Sequence, residues 1–178
     1  MPQLGRIAAL LSVAVALGAC ANRGDYAPPP SASTAMVRFV AKGGLATVNV
    51  IDLGACPAPK ASRVGALNDS FGIAERSPLQ MLGSAPEPRN DVMERRLAAG
   101  APILIEFANF ATPPCKTFVM FTPVESQQYE ITFLPNMRCD IVVSRLEPGE
   151  GTAFNRVAER TARRMMPTDF YRDLCPRK

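Results

Sequence analysis

Short runs of alternating apolar and polar residues, cut repeatedly by proline and glycine, constrain this chain more than any other feature. After Pro102 the run ILIEFANF places Ile103, Ile105 and Phe107 on one face and Leu104 and Glu106 on the other. That two-residue period belongs to a half-buried strand, and the face bearing Ile103 is the predicted core face. Cys115 to Thr122 (CKTFVMFT), Tyr129 to Leu134 and Cys139 to Leu146 (CDIVVSRL) repeat the pattern, with Tyr129, Ile131 and Phe133 on one face of the second. Earlier, Met36, Arg38 and Val40 oppose Val37, Phe39 and Ala41, and Gly43-Gly44 separates them from the β-rich run Ala46 to Ile51. A glycine pair between two such runs predicts a hairpin. Asp91 to Ala98 is polar and apolar by turns ahead of a bend at Gly100 and Pro102.

Between Cys56 and Pro88 the period fails. Prolines at 57, 59, 78, 86 and 88 alternate with glycines at 54, 65, 72 and 83. The expectation is mostly loop, with short strands or turns around Val64 to Leu67 and Leu79 to Leu82. A loop this long within a compact domain points to a binding surface or to an element the pattern hides. Thr152 to Met166 has Phe154, Val157, Thr161 and Met165 near one helical face and Arg156, Arg160 and Arg163 near the other, which predicts a short amphipathic helix ended by Pro167. The expected fold is mainly β: an antiparallel β-sandwich, immunoglobulin-like or transthyretin-like in general shape, with a short C-terminal helix. An α+β domain is the competing architecture.

The N-terminus carries a different signal. Arg6 precedes Ile7 to Leu17, apolar apart from Ser12, and about eleven apolar residues are too few for a bilayer that needs roughly 20. The next residues, Leu17-Gly18-Ala19-Cys20, resemble the lipobox of bacterial lipoprotein precursors. The resemblance implies cleavage before Cys20, acylation of its thiol with chains such as palmitate, and a mature protein starting there. Each buried CH₂ adds about 0.8 kcal/mol, so several chains make a stable anchor where one is marginal. Ala21 stands where an inner-membrane retention signal would have Asp, which implies delivery to an outer membrane, with the domain facing the periplasm. Residues 1–19 then form the signal, and residues 20–33 (CANRGDYAPPPSAS) a lipidated start and Pro-rich tether. Residues 34–178 remain as one domain of ordinary size.

Export suits the cysteines. Cys56, Cys115, Cys139 and Cys175 remain after Cys20, and four cysteines allow three pairings. In a meander the start of one strand lies near the end of the next, which brings Cys115 to the loop holding Cys139 and leaves Cys56 for Cys175. Closing the 24-residue loop is worth on the order of 3 kcal/mol in the loop-entropy picture. A zinc site is disfavoured by the absence of histidine and of close Cys-x-x-Cys spacing.

The lack of histidine also removes the usual general base, and no serine-nucleophile, phosphate-loop or dinucleotide motif stands in the chain. Glu75, Glu87, Asp91 and Glu94 could supply a carboxylate pair for glycan hydrolysis, but the expectation for them is a solvated surface. The net charge of +4, or +3 once Arg6 is removed, is too dispersed to predict nucleic-acid binding. The reading is therefore a non-enzymatic envelope lipoprotein without cofactor or metal, bound to membrane through its anchor and contacting another envelope protein. Phe110, Arg156, Arg160 and Arg163 are the candidate contact residues. The alternative is a periplasmic ligand-binding or inhibitory module using residues 56–88, and a glycan-acting enzyme ranks below both.

Overall fold

The computed structural model describes residues 25–52, 59–69, 79–83, 89–109, 114–136, 138–151 and 153–165. In chain order the strands are β1 (Thr34–Ala41), β2 (Ala46–Asp52), β3 (Lys60–Leu67), β4 (Val92–Ala98), β5 (Ile103–Asn109), β6 (Cys115–Phe121), β7 (Gln128–Leu134), β8 (Asp140–Pro148), β9 (Phe154–Ala158) and β10 (Arg163–Met165). They form two five-stranded sheets, ordered β4-β1-β7-β8-β9 and β10-β6-β5-β2-β3. Every pairing is antiparallel except β1 with β7, which is parallel. The molecule is a β-sandwich.

The two-residue period explains the packing. Val37 and Phe39 from β1 and Tyr129, Ile131 and Phe133 from β7 meet Ile105 and Phe107 from β5 across the sheets, and all of these are completely buried. Phe107 lies 5.2 Å from Phe133 and 5.9 Å from Phe39 between ring centroids, while Phe121 meets the edge of Tyr129 at 5.3 Å. Rings of this size span the roughly 10 Å gap between stacked sheets. A second apolar cluster, Ile51, Leu104, Phe118 and Met120 with Met165 against it, gathers side chains from the opposite face of the second sheet.

Three expectations are corrected. The Gly43-Gly44 turn does not close a hairpin, because β1 and β2 belong to different sheets. Gly43 (φ +101°) and Gly44 (φ +67°) instead carry the chain from one layer to the other. The residues between Val64 and Leu67 belong to an eight-residue strand, β3, which pairs along β2 through a register shift at Val48 and Asn49. Among the described residues the short C-terminal helix does not form: residues 154–158 are strand β9 on the first sheet and residues 163–165 are strand β10 on the second. Arg156, Arg160 and Arg163 therefore do not share a helical face.

Cys115 and Cys139 form a disulfide with Cα atoms 5.8 Å apart. The expected pairing is present, but the expected meander is not, since β6 and β7 lie in opposite sheets. Cys115 opens β6 and Cys139 immediately precedes β8, so the bridge fastens one sheet to the other. Cys56 and Cys175 lie outside the described residues.

Candidate functional site

Arg38 stands at the middle of β1 on the face turned away from the sandwich core, yet it is only 4% exposed. Its register neighbours are Glu94 on β4 and Glu130 on β7. The Arg38 Nε donates to Glu94 Oε1 at 3.0 Å and Nη1 to Glu130 Oε2 at 3.4 Å. From β9, Arg156 makes a two-pronged contact with the same Glu130, Nε to Oε1 at 2.7 Å and Nη2 to Oε2 at 3.0 Å. The row Glu94, Arg38, Glu130, Arg156 thus alternates in sign across the sheet. Phe154 adds its ring face 4.7 Å from the Arg156 guanidinium and 6.0 Å from that of Arg38.

The segment Leu79 to Gly83 crosses this row as a strap. Leu79 N–H donates to Glu94 Oε2 at 2.7 Å and Leu82 N–H to Gln128 Oε1 at 2.7 Å, while the Leu82 carbonyl accepts from Arg38 Nη2 at 2.7 Å. The strap ends against Phe154, where a Cβ on Gly83 would collide with the ring, and the φ of +66° there also favours glycine. Burial alone would raise the Glu130 carboxyl, but hydrogen bonding and charge from Arg156, with the charge of Arg38, outweigh it and hold its pKa below the ordinary value.

A cleft of about 130 Å³ opens beside the strap, lined by Arg38, Lys42, Arg89, Asp91, Glu130 and Arg156 among others. Arg89 and Asp91 pair at 2.7 Å, and Lys42 is exposed next to them. Cations outnumber carboxylates among those six by four to two. The cleft suits an anionic group more than a cation or an apolar one.

A second feature lies at the far edges of both sheets. The chain leaves β9, turns a corner at Glu159 to Ala162 and enters β10 in the other layer. Glu159 fixes the corner by accepting from the Thr161 N–H and hydroxyl, each at 2.8 Å, and the Thr161 hydroxyl oxygen accepts from the Thr122 N–H at 3.0 Å. Val157, Ala158 and Arg160 are exposed there and line, with Arg145 and Glu159, a hollow of about 240 Å³.

The candidate contact residues are divided by the fold. Arg156 belongs to the charged row, Arg160 to the corner and Arg163 to β10, all exposed. Phe110 and Cys20 lie outside the described residues. Glu94, expected on a solvated surface, is instead buried in this row, and no local pattern in the sequence joins it to Arg38 and Glu130. The available signal is a single charge inside an apolar strand run at two of the three, in Val37-Arg38-Phe39 and Tyr129-Glu130-Ile131, which calls for an opposite charge on a neighbouring strand.

The geometry defines the class as a two-layer β-sandwich fastened by an inter-sheet disulfide. In comparisons with protein-family models, with curated proteins and with solved structures, nothing matches the chain.

Proposed function

We propose that the protein is a non-enzymatic lipoprotein of the bacterial envelope, acylated at Cys20 in the outer membrane, whose periplasmic sandwich contacts another envelope protein. The observation that carries this reading is the Leu17-Gly18-Ala19-Cys20 junction behind an apolar segment too short to span a bilayer. The corner between β9 and β10 supports the contact, because it combines exposed Val157 and Ala158 with Arg160 around one hollow, the apolar centre and charged rim of a recognition surface.

Two measurements test it. Metabolic labelling with an alkyne fatty acid should mark the wild-type protein and fail on Cys20→Ser. Crosslinking in the native host, followed by mass spectrometry, should capture one envelope protein from wild type and lose it from Val157→Asp/Arg160→Glu. An unlabelled wild-type protein, or capture indifferent to the double substitution, overturns the corresponding half of the proposal.

A second reading, a periplasmic ligand-binding or inhibitory module, draws on the cationic cleft beside the strap. Residues 79–83 come from the Pro/Gly-rich region and Gly83 lines that cleft. A small anion that protects the strap amides of Leu79 and Leu82 from hydrogen exchange would favour it over a protein contact.

A further inference from the structure

The domain is fastened to its own N-terminal segment well before β1 begins. Asp25 forms a parallel bridge with Arg63 on β3, and the Tyr26 N–H donates to the Arg63 carbonyl at 2.6 Å. The Tyr26 side chain packs against the core, and its phenolic oxygen accepts from Ala98 N–H of β4 at 3.0 Å. Tyr26 thereby joins β3 to β4, beside the Asn68 N–H that donates to the Asn90 carbonyl at 2.6 Å between the same two sheets. The following residues are held as well: Ala32 N–H donates to the Pro29 carbonyl at 2.9 Å, and Ala99 N–H to that of Ser33 at 2.8 Å.

This docking shortens the leash. Five residue steps separate Cys20 from Asp25, and a fully extended chain covers at most about 3.6 Å per residue, so the anchor lies within about 18 Å of the docked segment. A five-stranded sheet with strands about 4.8 Å apart is itself about 19 Å from edge to edge. The β4 edge of one sheet and the β3 edge of the other lie beside the docking point, and the β9 and β10 edges lie at the opposite end of each strand order.

Exposed basic residues stand at both ends of the sandwich, Arg160 and Arg163 at the far corner among them, so the leash rather than charge selects the side that meets the bilayer. Lys60 and Arg63 on β3 and Arg96 on β4 are exposed, and Arg95 is half-buried between the two strands. Against these stand Asp25, Asp52 and Asp69, while Asp91 pairs with Arg89 and Glu94 is buried under Arg38 and the strap. Attraction between such basic residues and anionic headgroups fades within a Debye length of about 8 to 10 Å, so it strengthens the contact only on the side that the leash keeps near the bilayer.

Resting on the acylation of Cys20, we propose that the β3–β4 side of the sandwich is held against an anionic lipid surface and that the β9–β10 corner faces away from it. The occupant of the basic side is the headgroup layer of the protein's own membrane. The hollow around Val157 is the surface left open to a partner.

The test uses the full chain, produced from its precursor and reconstituted into nanodiscs of phosphatidylethanolamine and phosphatidylglycerol. The intact mass is read first, so that failure of acylation is distinguished from failure of orientation. Two single variants carry a photoreactive residue, Ala61→p-benzoylphenylalanine on β3 and Ala158→p-benzoylphenylalanine at the corner, both exposed positions outside the core. Illumination should give lipid adducts from position 61 at least tenfold above those from position 158. Inserting a 20-residue Gly/Ser spacer after Ala21, together with Lys60→Gln/Arg63→Gln/Arg96→Gln, should remove that difference. Acylated protein with equal adducts at both positions, or with the larger yield at 158, overturns the orientation and leaves the lipoprotein reading intact. Protein without lipid at Cys20 overturns both.

Discussion

At the scale of single residues, the charged row on β4, β1, β7 and β9 decides how this domain responds to substitution and to acid. Arg38 lies between two carboxylates that are themselves buried. Removing one partner of a buried ion pair leaves an uncompensated charge, at a cost of about 3 to 5 kcal/mol. Arg38→Met should therefore lower stability by about that amount, as measured by urea unfolding at neutral pH. Glu130 sets the acid response. Its pKa is held below the ordinary value of 4.5 in the folded protein, so its stabilisation is complete above that value and is lost as the pH falls through the lower, folded pKa. Glu130→Gln should be less stable than wild type at pH 7, and the difference should shrink below about pH 4.5. A gap that stays constant between pH 7 and pH 3 would show that the carboxylate's charge is not what the row requires. Arg38 and Glu130 each stand in the sequence as a lone charge within an apolar run, whereas Glu94 is followed by Arg95-Arg96 and Arg156 lies in a polar stretch. Their assembly is not legible there, because Arg38 and Glu130 are 92 positions apart and meet through a parallel pairing that no local pattern encodes.

Among the elements, the alternating runs were the most legible. Ile103, Ile105 and Phe107, then Tyr129, Ile131 and Phe133, face the core as their period predicts, since one buried face is enough to fix a strand's register. Over 154–165, Phe154, Val157, Thr161 and Met165 fit a helical spacing, yet Phe154 and Val157 lie on β9, Thr161 in the corner and Met165 on β10. Phe154 packs on the outer face of the first sheet, whereas Met165 joins the cluster on the second. Their separate destinations, set by tertiary packing, override the weak local preference of a short segment. The strap is the element most sensitive to one methyl group. Gly83→Ala meets both the Phe154 ring and an unfavourable φ, which together should cost about 1 to 3 kcal/mol. Hydrogen exchange should then rise at the Leu79 and Leu82 amides while the β5 amides keep their protection; unchanged exchange at the strap would contradict this account.

For the whole molecule, connection between the layers matters more than any single strand. The chain crosses between sheets at Gly43-Gly44, between β3 and β4, between β4 and β5, between β6 and β7, and at the Glu159 to Ala162 corner, and the Cys115–Cys139 bridge adds a covalent crossing. Closing a loop of 24 residues constrains the unfolded chain by on the order of 3 kcal/mol. Cys115→Ser/Cys139→Ser should lower the urea-unfolding free energy by a comparable amount, and an unchanged midpoint would mean that the bridge adds nothing to the sandwich. The N-terminal segment contributes in the same way without a covalent bond, as Tyr26 spans β3 and β4.

The sequence by itself determined that the domain is mainly β, the inward faces of the central strands and the likeness of Leu17-Gly18-Ala19-Cys20 to a lipobox. These are local properties, written in a two-residue period or within a few adjacent positions. Tertiary structure alone decided that Gly43-Gly44 joins layers, that β1 runs parallel to β7, that Leu79 to Gly83 straps a buried charge row, and that Tyr26 docks ahead of the first strand. Each of those depends on contacts between residues far apart in the chain, whose energies come from sharing one core and from pairing charges that no single segment can neutralise alone.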